Sequence, residues 1–418
     1  MVSMTLDYFL KMIKDSLNNS GAYIRLLILL LILINKGWAQ ILPSNFGVHH
    51  RKSSSTVNYA LSFDGSNDHI TINGGTISTA WSFEVWFKKD SNKNTHNLTN
   101  NANSNNSGTW SLRLAQWNNI YKVGITKYGV KDYYINDSKA NLAINKWEHV
   151  AWTYENNLVT VYINGENLGT TFTRGPLANG AILYWNIIGK SSNSIGGEID
   201  ELRIWNDVRT SSEINDNMFI SLEGNESNLV AYYMMSNQSG SSLTDNSSNS
   251  NTGTISGATW VTSNAPIGII NESYQNNIES LWQKTGTSDS EASSGLTLSV
   301  SSSLAEANYV VYSNNNSSGT TTENLPSGES IQKRSTRKWQ FDEVGSVTSD
   351  LKIDISDATG NSVTPSSASN YKLLYKSCTE CDFSVYATGA SNSGDVVTFS
   401  NVTIQDGFYS IATTDTNL

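Results

Sequence analysis

Carboxylates at alternate positions of the stretch Gly196–Trp205 are the first feature of this chain that could do chemistry. Glu198 and Asp200 are two residues apart, so on a β-strand both side chains leave from one face. Two carboxylates facing one surface can serve as nucleophile and general acid/base in the hydrolysis of a glycosidic bond. Leu202 occupies the next position on that face, and Glu201 points to the opposite one. The alternative is that Asp200 anchors a turn or loop.

Aromatic and polar side chains form two groups that could bind a sugar, because pyranose faces stack on rings and hydroxyls need donors and acceptors. The first group falls on the non-aliphatic faces of predicted neighbouring strands, where it could share one concave surface: Glu84, Trp86, His149 and Tyr162. The second lies in or beside loops: Trp117 and Tyr121, followed by Tyr133 and Tyr134. Taken singly, each ring could equally cover a second apolar layer, and His149 could be a structural histidine.

A short acidic turn offers oxygen atoms to a calcium ion. Asp64, Asn67 and Asp68 supply two carboxylates and an amide within five residues, and calcium takes six to eight oxygen ligands. Asp200, at the end of a neighbouring strand, could add another ligand. The alternative is that the turn residues only make the side-chain-to-backbone bonds that shape a turn. Calcium is the cofactor that the sequence predicts.

The chain contains two cysteines, Cys378 and Cys381. A zinc site with four cysteines would need a second pair, and the surrounding sequence lacks the strand-to-helix context of a redox motif. In an exported chain the two thiols are expected to close a small loop as a disulfide.

Short strands must position these residues. Alternation of apolar and polar residues predicts strands at 82–88, 147–154 and 159–163, and Asn164-Gly165 is typical of a tight hairpin turn. Residues 59–72 alternate on both sides of the Asp64–Asp68 turn, which predicts a hairpin. No sustained helical period occurs from 58 to 264. The pattern predicts two stacked antiparallel sheets and an all-β fold.

The second half repeats the pattern of short alternating runs, which predicts a smaller β-sandwich at 291–418. The segment Asn264-Ala265-Pro266 marks a boundary, and 265–290 is predicted to be an irregular joint. The first sandwich is predicted to span 58–264, after a linker at 40–57.

The first 39 residues have the pattern of a signal peptide. Lysines and an arginine precede the apolar run Leu26–Ile34, and Gly37-Trp38-Ala39 offers small residues for cleavage. The apolar run is too short for a membrane span, so no span is expected after cleavage. With a net charge of −10, the chain is not expected to bind nucleic acid. We therefore predict a protein that is secreted or held at the cell surface.

Two stretches resemble a known family. ALSFDGSNDHITI, at 60–72, is similar to the opening strands of laminin G-like domains, and GGEIDELRIWNDVRTSSEI, at 196–214, resembles their last strands. The resemblance covers 58–262 and implies a concanavalin A-like lectin jelly roll, a fold shared with pentraxins. It also implies one calcium ion in many members. The glucanases of this fold carry three alternating carboxylates, and Leu202 stands where the third is expected.

The second half is similar to a β domain of large exported bacterial surface proteins, on the segments ANYVVYSNN, RKWQFDEVG and DGFYSIAT. Together the patterns predict an exported, adhesin-like protein that binds a glycan, an extracellular matrix or a cell-surface glycoprotein without catalysis. A glucanase-type glycoside hydrolase and a structural spacer are the alternatives. A bulge that brought Glu201 beside Glu198 and Asp200 in a cleft would favour the hydrolase.

Overall fold

The structure, a computed structural model, describes residues 57–92, 95–100, 107–118, 120–170, 172–173, 175–177, 180–189 and 194–418. The predicted signal peptide at 1–39 lies outside the described residues, and so does the predicted linker apart from its last residue, Val57. Among the described residues, no helix combines the length and apolar character required to cross a bilayer.

The regular secondary structure in the first half of the described chain is almost entirely β-strand, as the alternation predicts. Its strands are β1 (Tyr59–Asp64), β2 (His69–Ile72), β3 (Thr76–Ile77), β4 (Trp81–Lys89), β5 (His96–Asn97), β6 (Thr99–Asn100), β7 (Trp110–Ala115), β8 (Gly124–Lys127), β9 (Lys131–Tyr134), β10 (Trp147–Glu155), β11 (Leu158–Ile163), β12 (Glu166–Asn167), β13 (Leu183–Tyr184), β14 (Ile187–Gly189), β15 (Gly196–Trp205), β16 (Leu229–Tyr233), β17 (Ser242–Leu243), β18 (Gly253–Ser256) and β19 (Thr259–Thr262).

These strands form a sandwich of antiparallel sheets. The largest sheet has the order β12-β11-β10-β4-β15-β1-β19, with β16 also paired to β15. The opposing layer contains the sheets β17-β18-β2-β14-β6 and β5-β7-β8-β9 and the short pair β13-β3. Side chains at alternate positions, such as Phe83, Val85 and Phe87 of β4, are fully buried in the core between the layers. The predicted all-β sandwich is confirmed.

The predicted hairpin at 59–72 is wrong. β1 pairs with β15 and β19, whereas β2 pairs with β14 and β18, so the Asp64–Asp68 turn carries the chain from one sheet to the other. Alternation reports which face of a strand is buried and does not report its partner. The Asn164-Gly165 turn is confirmed: both residues have positive φ, 51° and 78°, and they join β11 to β12.

One helix packs beside the large sheet of the first sandwich. α1 (Ser211–Met218) begins with a capping box, in which the Thr210 side chain accepts from the Glu213 amide and the Glu213 carboxylate accepts from the Thr210 amide. A threonine followed three residues later by a glutamate is the sequence pattern typical of such a start. The helix buries Ile214 and Met218, so it seals part of the outer face of the sheet.

The second sandwich follows. Its strands are β20 (Asn276–Leu281), β21 (Ser288–Glu291), β22 (Leu296–Ser299), β23 (Tyr309–Asn314), β24 (Thr320–Thr321), β25 (Lys333–Ser335), β26 (Trp339–Val344), β27 (Thr348–Asp354), β28 (Tyr371–Lys376), β29 (Ser384–Thr388), β30 (Ser391–Ser393), β31 (Val396–Thr403) and β32 (Gly407–Thr413). The helix α2 (Ile355–Thr359) and the 3-10 turns Glu272–Tyr274, Ala292–Ser294 and Ala368–Asn370 complete it.

The second sandwich consists of two sheets. One has the order β20-β23-β26-β32-β25-β24, with β28 joining β32 to β29, and the other has the order β21-β22-β27-β31-β30. Because β20 already belongs to the first of them, the predicted irregular joint at 265–290 is too long. The predicted disulfide between Cys378 and Cys381 is confirmed, and it closes the turn between β28 and β29.

An apolar layer joins the two sandwiches. From the first sandwich it includes Trp86 and Trp147, and from the second it includes Trp282, Tyr309 and Phe408. The ion pairs Lys88–Glu306 and Glu148–Lys284, each 2.6 Å long, cross the same junction. The outer face of the large first sheet is therefore covered by protein.

Candidate binding cleft between the two sandwiches

The four residues predicted to share an open, sugar-binding surface are buried instead. Glu84 is 1% exposed, Trp86 and His149 are 0% exposed, and Tyr162 is 6% exposed. The indole nitrogen of Trp86 donates to the carbonyl of Met218 at 2.7 Å, and its ring lies 5.3 Å from that of Trp282. The predicted ring-bearing surface is wrong because α1 and the second sandwich cover this face.

Two polar side chains buried under this cover, His149 and Glu84, have shifted pKa values. The His149 Nε2 and Glu84 Oε2 atoms are 3.5 Å apart. Burial lowers the pKa of His149 well below its usual value, and the nearby Arg203 lowers it further. Burial raises the pKa of Glu84, although Arg203 and Arg209 oppose the rise. His149 is therefore a neutral structural histidine at neutral pH.

The alternating carboxylates of β15 are rearranged by a bulge. The pairing of β15 with β4 shifts between Asp200 and Arg203, and Glu201 has a φ of 49°. The extra residue turns Leu202 into the hydrophobic core and leaves Arg203 on the outer face with Glu198 and Asp200. The expectation that Leu202 shares the face of Glu198 and Asp200 is therefore wrong.

The bulge does not open a cleft around the acids. The Glu201 carboxylate is fully buried, where it accepts from Arg203 at 2.9 Å and from the Tyr232 hydroxyl at 2.6 Å. The Asp200 carboxylate, also fully buried, accepts from Asn58 at 3.0 Å and from Ser263 at 2.7 Å. These acids hold the fold together. β15 has the bulge that would favour a hydrolase, but the buried carboxylates of Asp200 and Glu201 cannot contact a substrate.

Asp200 lies apart from the other predicted calcium ligands, which belong to the Asp64–Asp68 turn. In the turn, Asp64 accepts from the Ser66 amide at 2.7 Å and Asp68 accepts from the Asp64 amide at 2.8 Å. Asp64 pairs with Gly196, four residues before Asp200 on β15, which is about 13 Å along a strand. Among the described residues no group of three acids, histidines or cysteines could hold a metal ion. Asp200 therefore does not belong to a set with Asp64, Asn67 and Asp68, and we derive no role for calcium in binding.

Calcium at the Asp64–Asp68 turn alone stays a prediction. An ion that binds only the folded chain stabilises it, so a chelator is expected to lower the melting midpoint. Asp64→Asn is expected to melt at the same temperature with and without chelator, because it removes one carboxylate. An unchanged midpoint for the wild-type chain in excess chelator contradicts the prediction.

The loop rings are placed differently from one another. Trp117 is 42% exposed, and Tyr121 is half-buried with a φ of 57°. Tyr133, by contrast, is buried and stacked on Trp110, with ring centroids 5.9 Å apart. Tyr134 is half-buried. Trp117 is thus the predicted ring that solvent reaches most freely.

A cleft lies between the sandwiches, at the edge of the apolar layer. Its volume is about 540 Å³. The first sandwich contributes the loop before β10, Glu148 of β10, the β11–β12 hairpin and the end of α1. The second contributes β20 and the residues after it. The side chains that line it are Ser138, Lys139, Asn141, Glu148, Ile163, Asn164, Glu166, Met218, Phe219, Glu279, Ser280, Trp282, Lys284 and Thr285.

The charges of the cleft largely cancel. Lys139 and Glu166 form an exposed ion pair at 2.6 Å, and Lys284 and Glu148 form another at 2.6 Å. Glu279 adds a carboxyl whose pKa is raised to about 7, by burial first and then by neighbouring acids. No excess positive charge therefore attracts an anionic ligand, and the lining suits a neutral polar one.

Alternation along β20 gives the cleft its inner surface. Ile278, Ser280 and Trp282 share the side of the strand that faces the first sandwich, where Ile278 and Trp282 belong to the apolar layer. The Ser280 hydroxyl is fully buried and has no hydrogen-bond partner among the described residues. A buried hydroxyl without a partner is costly unless a ligand or water completes it.

Comparison with known proteins agrees with this architecture. Residues 64–215 match the family model of the concanavalin A-like lectin/glucanases superfamily. The first sandwich has the concanavalin A-like fold. Residues 270–408 match the model of a domain of unknown function, DUF8202. No curated protein matches the chain.

Solved structures similar to the concanavalin A-like domain come from several organisms. One is a protein from Bacteroides ovatus that is named for a proposed carbohydrate-binding role. It is 22% identical with a TM-score of 0.40, and the match covers 51% of this chain and 62% of that chain. A heptameric pentraxin from Limulus polyphemus is 18% identical, with a TM-score of 0.29, over 38% of this chain and 80% of that chain. Domain 4 of an extracellular arabinanase from Geobacillus stearothermophilus, in complex with arabinotriose, is 20% identical, with a TM-score of 0.29, over 38% and 80%.

The cleft was missed by sequence reasoning because it is composite. Lys139 and Glu166 of the concanavalin A-like domain and Trp282 and Lys284 of the second sandwich are far apart in the chain. The one local signal was the Asn164-Gly165 hairpin, which forms part of its wall. Nothing in the sequence indicated that β20 would pack beside that hairpin.

Proposed function

We propose that this chain is an exported, adhesin-like surface protein that binds carbohydrate without catalysis, and that the cleft between the sandwiches is its binding site. The observation that carries the proposal is the cleft of about 540 Å³, in which amide, hydroxyl and paired charged groups surround one tryptophan. A volume of this size fits a small ligand, such as one or a few sugar units.

The lining matches the chemistry of a neutral saccharide. Sugar hydroxyls both donate and accept hydrogen bonds, and Ser138, Asn141 and Asn164 can do the same. The Lys139–Glu166 pair offers charged donors and acceptors without net charge, which strengthens hydrogen bonds to neutral hydroxyls. Trp282 and Phe219 supply apolar surface at the base for the C–H faces of a sugar ring.

The setting of the protein is part of the same proposal. The predicted signal peptide supports export, and the predicted disulfide forms in oxidising compartments. A glycan, an extracellular matrix or a cell-surface glycoprotein is the proposed partner. The exposed ring of Trp117 is a second candidate contact on the concanavalin A-like domain.

A glycan array tests the binding site directly. We expect the double variant Lys139→Ala, Glu166→Ala to bind its best glycan at least about tenfold more weakly, since the loss of even one charged hydrogen bond costs about 1.5–3 kcal/mol. The fold should survive, because both side chains are more than half exposed and surface ion pairs contribute little to stability. Lys122→Ala, which removes a hydrogen bond to Asn136 outside the cleft, is the matched control.

The outcomes separate the two sites. Loss of signal in Trp117→Ala but not in the cleft variant would move the site to the loop. Absence of any bound glycan would overturn carbohydrate binding itself. Release of reducing ends from a β-glucan by the purified full chain would contradict the proposal that the protein is not an enzyme.

A further inference from the structure

Three basic side chains meet on the outer face of the second sandwich. Arg334 of β25 lies opposite Ala412 of β32, and Lys376 of β28 lies opposite Phe408 of the same strand. Lys338 precedes β26 by one residue and shares the face of Gln340, which also pairs with Phe408. Strand pairing therefore brings Arg334, Lys338 and Lys376 to one face of one sheet.

These cations form no direct ion pair with an acid of the described residues, although Glu323, Glu380 and Asp382 act on them from a greater distance. No carboxylate of the described chain lies within 4.0 Å of Arg334, Lys338 or Lys376, although Arg334 is only 7% exposed and Lys376 only 6%. Arg334 donates to the carbonyls of Glu323 and Ser335, and Lys376 donates to the carbonyl of Thr379 in the disulfide loop. The Lys338 ammonium makes no hydrogen bond to a described residue. Buried charge without a direct ion pair is costly, so these groups suit an anion.

The electrostatic environment of the cluster agrees with its geometry. Burial lowers the pKa of Lys338, and Arg334 lowers it further. Burial also lowers the pKa of Lys376, with added effects from Lys338 and Arg334, while Glu380 and Asp382 oppose them only partly. The three cations therefore repel one another across a short distance.

Aromatic rings surround the cluster and leave one donor without a partner. Lys338 lies 5.6 Å from the ring centroid of Tyr274, and both Arg334 and Lys376 lie over Phe383, at 5.0 and 5.2 Å. The Tyr274 hydroxyl is buried and has no hydrogen-bond partner among the described residues. A free O–H donor beside Lys338, in a cluster of cations that form no ion pair, is a donor set that suits an oxyanion.

We propose that Arg334, Lys338, Lys376 and the Tyr274 hydroxyl form a binding site for an oxyanion, namely the carboxylate or sulfate of an acidic saccharide or a free inorganic anion. The site lies wholly in the second sandwich and is independent of the cleft. It would take acidic ligands, which the cleft disfavours.

Thermal melting of the full chain at constant ionic strength tests the site, with sodium sulfate replacing sodium chloride. We expect sulfate to raise the wild-type midpoint with increasing concentration, since it binds only the folded chain. Lys338→Gln should weaken the apparent affinity about tenfold, because one charged contact is lost. Tyr274→Phe keeps the ring and should weaken it less. Lys352→Gln, on the other sheet, should respond as the wild type does.

Parallel series with phosphate, sodium glucuronate and a sulfated disaccharide distinguish the source of the anion. If the two saccharides raise the midpoint more than sulfate does, the ligand is an anion carried by a sugar. If sulfate raises it as much as they do, the ligand is a free anion. The proposal is overturned if none of the four anions raises the wild-type midpoint, or if Lys338→Gln responds like the wild type. Neither result would affect the interpretation of the glycan array, which tests the cleft.

Discussion

Replacing Trp86 by alanine is expected to destabilise the protein by about 3–5 kcal/mol, the range for truncating a large buried aromatic side chain. Its ring is fully buried at the centre of the junction between the sandwiches, within 5.9 Å of the Phe219 ring and 5.3 Å of the Trp282 ring. The substitution also leaves the Met218 carbonyl without its donor. The loss should therefore exceed that of a simple surface substitution several times over.

The same change is expected to separate the unfolding of the two sandwiches. Their contact consists of the apolar layer around Trp86 and the ion pairs Lys88–Glu306 and Glu148–Lys284. Ion pairs with partly exposed lysines contribute little by themselves, so the layer supplies most of the coupling. Differential scanning calorimetry should show one main transition for the wild type and two for Trp86→Ala.

Trp117→Ala is the matched control, since it removes the same side chain from an exposed position. It should change the free energy of unfolding by no more than about 0.5 kcal/mol. A Trp86→Ala protein that melts like the Trp117→Ala protein would show that the junction is not a packed interface. The comparison also matters for binding experiments, because a loss of glycan signal in Trp86→Ala would report unfolding and not contact with sugar.

The residues of the first half predict its sheets because a strand with one buried face must alternate. Alternation predicts the strand at 82–88, and its apolar residues Phe83, Val85 and Phe87 all lie in the core. The Asn164-Gly165 turn and the Thr210 capping box are equally local, since each depends on a few neighbouring residues. Features that one short segment determines could be read directly.

The candidate site could not be predicted in the same way. Trp86 and His149 alternate with core residues, and alternation alone cannot tell whether the second face meets water or another sandwich. The covering elements begin more than 50 residues later, at α1 and β20. The bulge at Glu201 is a further example. The alternation breaks where Asp200 and Glu201 follow one another, but only the pairing with β4 shows that the break is an extra residue in the strand.

Arg203→Met is expected to cost about 3–5 kcal/mol of stability, because it leaves the buried Glu201 carboxylate without its counter-charge. Burial alone would lower the pKa of Arg203, but Glu201, Tyr232 and Glu84 together raise it, so the guanidinium is charged in the fold. It also donates to the carbonyls of Asn217, at the end of α1, and Ile220. Its loss should therefore loosen the segment that seals the sheet, as well as the bulge itself.

A double-mutant cycle separates the charge from the packing. Adding Glu201→Gln to Arg203→Met removes the uncompensated carboxylate, so the double variant should regain part of the stability lost by the single one in urea unfolding. Glu201→Gln alone leaves the buried guanidinium without its carboxylate and should also be destabilising. Additive losses in the cycle would show that the two groups do not interact. Recovery in the double variant would show that Glu201 stabilises the fold through Arg203. The hydrolase alternative requires instead that the carboxylates of β15 are free to contact a substrate.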